Sequence, residues 1–390
     1  MRPGLDAILA ACSALGNPQE KVRAVHVAGT NGKGAVCAII DSCLRAAGYR
    51  TGRYTSPHLV RLNERFFVDG APVSDEILDR HTVVNADLTY FEALTAVAFS
   101  LYADLNLDYV VLETGLGGRL DATNVCRPAL TVITRIGLDH CDWLGNTIAE
   151  IASEKAGIIK KGVPVIVGEN CEEALKVIRN RAEEVGAPFV YAPDMASLEE
   201  IPDDFSLPGR FNLENAVTAL AALKTMGISG FEGGLKSVVW PGRFQRIGNF
   251  IVDGAHNPPA ARALADALAE SPRLENMIAG FCGDKDVDEV LRILAPYVRR
   301  GYAIKTQNPR SLPAEVVAEK MKLAGIDAIP CDSLKKAIDS AGTVPTLICG
   351  SLFLAGEALV ELDAYPWPDS RGQSPKFDPA EALRPADSRC

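Results

Sequence analysis

The chain has no C-x-x-C pair, no basic cluster and no unbroken apolar run long enough to span a bilayer. Each absence excludes a class of protein. The ten cysteines are scattered, which argues against a zinc ribbon or disulfide frame and fits reduced thiols used as small apolar side chains. A net charge of −10 without runs of Lys or Arg leaves no electrostatic footprint for a nucleic acid. Met1 to Asp6 lack a secretory apolar core, so the sequence reads as a cytoplasmic protein with no membrane partner, expected to be a monomer. Aromatic residues make up only 6%, but 47% hydrophobic and 23% charged residues are ordinary for a globular enzyme. At 390 residues the chain exceeds one ordinary core, and two domains are expected.

What is present begins with Val25-His-Val-Ala-Gly-Thr-Asn-Gly-Lys-Gly34. An apolar strand runs into a glycine-rich turn with one lysine, then into the helical run Ala35 to Ala47. Backbone N–H groups of such a turn, the positive end of the helix and the Lys33 ammonium converge on an oligophosphate. The usual phosphate-loop pattern is broken twice: Val27 replaces its first glycine, and Gly34 stands where a Ser or Thr hydroxyl would hold Mg²⁺. Any metal must find oxygen ligands elsewhere.

Short apolar runs alternate with amphipathic segments, as in a parallel α/β sheet. Strands are expected at Val25 to Ala28, Tyr109 to Leu112, Leu130 to Thr134 and Val163 to Val167. A helix is expected over Glu214 to Met226. After the Pro-Gly turn of Trp240-Pro-Gly-Arg243 the alternation restarts at Phe250 to Val252, Met277 to Ala279, Tyr302 to Lys305 and Thr346 to Cys349. The expected fold is α/β, with a phosphate-loop-type, mostly parallel N-terminal domain over residues 1–242 and a smaller Rossmann-like domain over 243–365. Residues 366–390, rich in Pro, Ser and charge, read as a flexible tail.

Donors for a metal sit where strands end, the place where open α/β sheets collect ligands. Glu113 closes the run Tyr109-Val-Val-Leu112, and a carboxylate there is costly unless it meets a cation. Ser56 lies in Tyr54-Thr-Ser-Pro-His58, where turn chemistry is the plainer reading and replacement of the missing hydroxyl the functional one. His140 lies in a loop after another strand. Thr147 and Glu150 have capping-box spacing, and Gly157 ends the helix they begin. Lys155 falls on the apolar face of that helix, with Ile148, Ile151 and Ala152. It is either a snorkelling helix-end lysine or a desolvated amine able to take up CO₂ as an anionic carbamate.

In order along the chain come Gly29-Thr-Asn-Gly-Lys-Gly34, Thr55-Ser-Pro-His-Leu59 with Asn63-Glu-Arg65, and Glu113-Thr-Gly-Leu-Gly-Gly-Arg-Leu-Asp-Ala-Thr-Asn124. Gly137-Leu-Asp-His140, Glu154-Lys-Ala-Gly157, Pro241-Gly-Arg-Phe-Gln245 and Asp253-Gly-Ala-His-Asn-Pro258 follow. Together these segments resemble the folylpolyglutamate synthase/dihydrofolate synthase family, a branch of the Mur ligase superfamily. The resemblance implies an ATP-dependent ligase that joins L-glutamate to a pteroate or folate carboxylate through an acyl phosphate. It implies phosphate contacts from Thr30, Asn31, Gly32, Lys33 and Gly34, and two magnesium sites built from Ser56, Glu113, His140 and a carbamylated Lys155. Asn215, Arg243 and Asp253 look like the residues that hold adenine, the γ-phosphate and ribose. His256 sits where the family positions glutamate or the phosphates. The pteroate-contacting segments are similar to Thr89, Tyr90, Phe91 and Glu92 and to Leu120, Asp121 and Ala122, although Tyr90 and Phe91 also suit core packing.

Some positions depart from the family pattern. Ala35 replaces the usual Ser or Thr, only three residues precede Gly4, and the stretch between Glu76 and Leu88 is trimmed. The trimmed segments favour, as the alternative, a Mur-type ligase acting on a different small carboxylic acid, while Ser56 would carry the metal role despite Ala35. A nucleotide-binding module without catalysis has no use for Lys155, and a plain phosphate-loop kinase lacks its hydroxyl after Lys33.

Overall fold

A computed structural model describes residues 4–83, 87–269, 272–283 and 285–367. Most of the tail expected over 366–390 lies outside the described residues. The chain divides into two compact units. One takes the residues up to His58 together with Leu62–Ser206 and Asn212–Val239; the other takes Leu59–Arg61, Leu207–Phe211 and the residues from Trp240 onward.

The first unit is built on strands β1 (Ala24–Ala28), β2 (Thr51–Tyr54), β3 (Phe66–Val68), β4 (Ala71–Pro72), β5 (Tyr109–Glu113), β6 (Leu130–Ile133), β7 (Val165–Val167) and β8 (Phe189–Tyr191). They lie in the order β4-β3-β2-β5-β1-β6-β7-β8. From β2 to β8 the pairings are parallel, and only β3 and β4 run antiparallel at one edge. Every residue of β1 and β5 is buried, the pattern of strands covered on both faces by crossover helices. That burial explains why these strands read as mostly apolar runs, with His26 inside β1 and Glu113 closing β5. One cluster packs Tyr54, Phe66 and Leu112 with Phe99 and Leu101 of the helix Tyr90–Asp104. Another packs Ile133, Val165 and Val167 with Ile151 and Ile178.

In the second unit, β9 (Gln245–Ile247), β10 (Phe250–Val252), β11 (Leu274–Ala279), β12 (Val298–Ala303), β13 (Asp327–Pro330) and β14 (Thr346–Cys349) form a separate sheet. Its order is β13-β12-β11-β14-β10-β9, parallel except for β9. The strand expected at Tyr302 to Lys305 is displaced toward the N-terminus. β12 contains exposed Arg299 and Arg300, which interrupt the apolar run by which a buried strand is recognised. Among the described residues no helix is long and apolar enough to cross a membrane.

Candidate active site

In the first unit β1 is flanked by β5 and β6, so the C-terminal ends of three neighbouring parallel strands meet at one rim. The chain leaves β1 at Ala28 and turns through Gly29 to Gly32 into the helix Lys33–Ala46. Gly29 and Gly32 have φ of 151° and 86°, backbone that side chains rarely tolerate. A Cβ on Gly29 would lie 1.8 Å from Thr134 Oγ1, and one on Gly32 would lie 2.3 Å from Asn215 Oδ1. The loop therefore touches β6's exit on one side and the helix Arg210–Thr225 on the other. Thr134 Oγ1 donates to the Asn31 carbonyl at 2.7 Å, Thr30 N donates to the Arg135 carbonyl, and Thr30 Oγ1 exchanges hydrogen bonds with the Gly137 backbone. These straps hold a helix N-terminus open toward solvent, the arrangement that suits an anion.

Cation and carboxylate lie beside that loop. Lys33 Nζ donates to the Thr30 carbonyl and stands 4.0 Å from Glu113 Oε1. Glu113 is buried at the end of β5 and accepts from Ser56 N at 2.9 Å. The expected sequence signals thus converge for Lys33, Ser56 and Glu113. Lys155, on the helix Ile148–Ala156, is 4% exposed and donates from Nζ to the Gly29 carbonyl at 2.7 Å. Burial holds its amine down at about 7; the Lys33 charge pushes the same way, and Asp139 and Asp121 oppose. A snorkelling lysine would keep its head in water, and this one does not.

His140 stands apart in character. It has φ of 53°, precedes the short helix Cys141–Leu144, and keeps an exposed imidazole 3.9 Å from Asp139 Oδ1. Among the described residues no group of three or more His, Cys, Asp or Glu forms a ready-made metal cage. A cation here would need the Ser56 hydroxyl, phosphate oxygens, water or a carbamate, donors that suit a hard ion.

Of the segments matched to pteroate contacts, several side chains are committed locally. Thr89 caps the helix Tyr90–Asp104, and Glu92 completes the capping box with Thr89 N and Oγ1. Ala122 is buried, and the buried Asp121 carboxylate accepts from Gly115 N, Leu116 N, Thr123 N and Thr123 Oγ1. Phe91 packs on Gly115, where a Cβ would meet its ring at 2.6 Å. Tyr90 and Leu120 are the exposed members, and the Arg65 guanidinium lies 5.7 Å over the Tyr90 ring.

In the second unit, Asp253 follows β10 and its buried carboxylate accepts from Phe244 N and Ala255 N, each at 2.7 Å. Burial raises its pKa, and the Arg243 charge opposes that rise. His256 Nδ1 donates to the Gly254 carbonyl at 2.8 Å. Gly254 approaches Arg243 closely, because a Cβ there would lie 3.1 Å from Nη1.

Sequence reading missed Thr134, Arg135 and Gly137, which strap the loop, and Asp139, which opposes the positive field at Lys155. Asp139 was legible only as the neighbour of His140. The straps use backbone atoms, and no residue type announces a carbonyl partner.

Residues 27–193 match the Mur ligase middle domain, and residues 242–345 match the Mur ligase glutamate ligase domain. A Bacillus subtilis dihydrofolate synthase/folylpolyglutamate synthase is 39% identical over 315 residues, covering 69% of this chain and 73% of that protein. The chain belongs to the dihydrofolate synthase/folylpolyglutamate synthase family. A solved Mycobacterium tuberculosis folylpolyglutamate synthase complexed with ADP and AMPPCP superposes with a TM-score of 0.87 at 31% identity, covering 94% of this chain and 96% of that one. A bifunctional member of the family with Mn, AMPPNP and L-glutamate bound has a TM-score of 0.83 at 32% identity, covering 93% and 95% of the two chains. Family membership makes the chain an ATP-dependent ligase.

Proposed function

We propose that this chain joins the amine of L-glutamate to a carboxylate of dihydropteroate or a reduced folate, using ATP and working in the cytoplasm. The observation that carries this reading is the convergence of Lys33, Ser56, Glu113 and Lys155 on the loop Gly29 to Gly32. A carboxylate oxygen of the acceptor attacks the γ-phosphorus and ADP leaves. The glutamate amine then attacks the acyl carbon, phosphate leaves and the amine loses a proton, so one amide replaces one P–O bond. Two anions must meet in the first step. Lys33 and the N–H groups of Gly32 and Gly34 at the helix start neutralise and position the phosphates, while Thr30 and Asn31, whose N–H groups are held by the Arg135 carbonyl, shape the loop beside them; Asn215, packed against Gly32, is assigned to the base by resemblance.

Residues 1–242 are assigned to ATP binding and 243–365 to glutamate ligation. Arg243, Asp253 and His256 are assigned by resemblance to the γ-phosphate, ribose and glutamate. Ser56 and Glu113 fit one magnesium ion; His140 and a carbamate on Lys155 fit a second. When bound, magnesium supplies positive charge to the transferring phosphoryl group. Lys155 becomes an anion by adding its neutral amine to CO₂ with loss of one proton, and its buried, lowered amine supports that addition. Exposed Tyr90 and Leu120 are the side chains best placed to meet an acceptor ring.

The test is glutamate-dependent phosphate release with dihydropteroate and with a reduced folate, each separately. Turnover with at least one acceptor is expected, and Lys33→Ala should lower it about 100-fold or more with an unchanged circular-dichroism spectrum. A folded enzyme that ignores both acceptors and turns over another acid would be the alternative Mur-type ligase.

A further inference from the structure

His26 is fully buried in the middle of β1, has no role in the ligand scheme above, and leaves one ring nitrogen unpartnered. Its Nε2 lies 2.8 Å from Thr123 Oγ1, 97 residues away. Thr123 in turn touches Asp121, whose two oxygens gather Gly115 N, Leu116 N, Thr123 N and the Thr123 hydroxyl. Gly115 and Leu116 form the turn that starts two residues after Glu113.

Proton positions in this chain follow from counting donors. The three backbone N–H groups can only donate, so they favour the Asp121 carboxylate as an anion. The Thr123 proton then points to Asp121, and the Thr123 oxygen must accept its bond from His26. That fixes the proton on Nε2 and leaves the bare lone pair at Nδ1. The opposite tautomer would bury an unpartnered N–H, and orphaned donors are rarer in folded proteins than under-used acceptors. Lys160 Nζ donates to the Asn124 carbonyl, and Asn124 Nδ2 donates to the Arg119 and Gly157 carbonyls, so the segment beyond Asp121 is anchored independently. The β1–β5 ladder and the bond from Thr114 N to the Val27 carbonyl hold the backbone up to Thr114, and the His26 arm adds a side-chain tie from β1 to Asp121 and so to the turn beyond it.

We propose that His26, through Thr123 and Asp121, is a positioning residue that fixes the Gly115–Leu116 turn and with it the carboxylate of Glu113. His26 never touches substrate. It braces, from the neighbouring strand, the turn that follows Glu113, as outer partners brace a metal ligand. This inference rests on the reading of Glu113 as a magnesium ligand.

The experiment compares wild type, His26→Leu, Thr123→Val and the double variant by magnesium titration of glutamate-dependent phosphate release, with the glutamate KM measured alongside. Each single variant is expected to raise the half-saturating magnesium concentration by about tenfold or more. The glutamate KM should move little, and the double variant should match the worse single one, because both cut the same chain. His26→Gln, whose amide nitrogen replaces Nε2 as donor, should recover most of the loss. A second readout is independent of turnover: the nitrogen-15 shifts of the His26 ring in wild type should report the Nε2–H tautomer. An Nδ1–H tautomer overturns the proposal even if His26→Leu fails to fold. Unchanged magnesium dependence in folded Thr123→Val overturns it too. Wild type without magnesium- and glutamate-dependent turnover means instead that the functional reading has failed.

Discussion

Lys155 shows how one residue trades stability for chemistry. Its stem packs on the apolar face with Ile151 and Ala152, and its nitrogen finds one carbonyl, that of Gly29. Burying an amine in this way is costly unless it is neutral or fully paired. Replacement by Met keeps the volume and removes the polar end, so Lys155→Met should raise stability by about 1 kcal/mol while most ligase activity disappears. Urea unfolding and phosphate release measure the two effects. Carbon-13 bicarbonate should label wild type with a carbamate resonance that the variant lacks. A fully active, CO₂-depleted wild type without that resonance would leave Lys155 a plain buried amine, and a less stable variant would show that its hydrogen bond outweighs desolvation.

At the scale of elements, the helix Ile148–Ala156 is placed by its ends. The capping box of Thr147 and Glu150 forms at its start, as the spacing of those residues anticipated. Its far end is set by contact: a Cβ on Gly157 would lie 2.5 Å from Arg119 Cα, and one on Gly118 would lie 2.9 Å from the Glu154 and Lys155 carbonyls. Two glycines thus let the turn after β5 lie against the helix that carries Lys155. Gly157→Ala should cost about 1–3 kcal/mol through overpacking and lower activity by displacing Lys155. Gly233→Ala, in the helix Glu232–Ser237 with only Ala46 Cβ at 3.9 Å, should be neutral or stabilising. Thermal unfolding of both variants checks this, and equal destabilisation would remove the argument.

On the scale of the whole molecule, each unit carries its own mostly parallel sheet and its own apolar clusters. The loop, its lysines and Glu113 all belong to the first unit. Binding of Mg·ADP should therefore stabilise that unit by mass action, by about 2.7 kcal/mol at a hundredfold excess over Kd. Calorimetry with and without nucleotide should show the first unit's transition move up, and Lys33→Ala should cancel most of the shift. A nucleotide-independent transition would contradict binding at this loop.

The sequence alone determined what is local. It marked the phosphate loop by its glycines and lysine, the buried strands by mostly apolar runs, a helix start by Thr147 and Glu150, and Lys155 by its place on an apolar face. Those signals survive because hydrophobic periodicity, capping and glycine conformation act within a few residues. Tertiary structure alone decided what meets. Parallel crossovers carry the ends of β1, β5 and β6 to one rim, so Gly29 meets Thr134 and Lys155, and Glu113 meets Lys33 and Ser56. It committed Asp121 to its own turn through four hydrogen bonds and joined His26 to Thr123 across 97 residues. No spacing rule reaches that far, because a hydrogen bond between distant segments depends on strand order, which the pattern of any one segment does not encode.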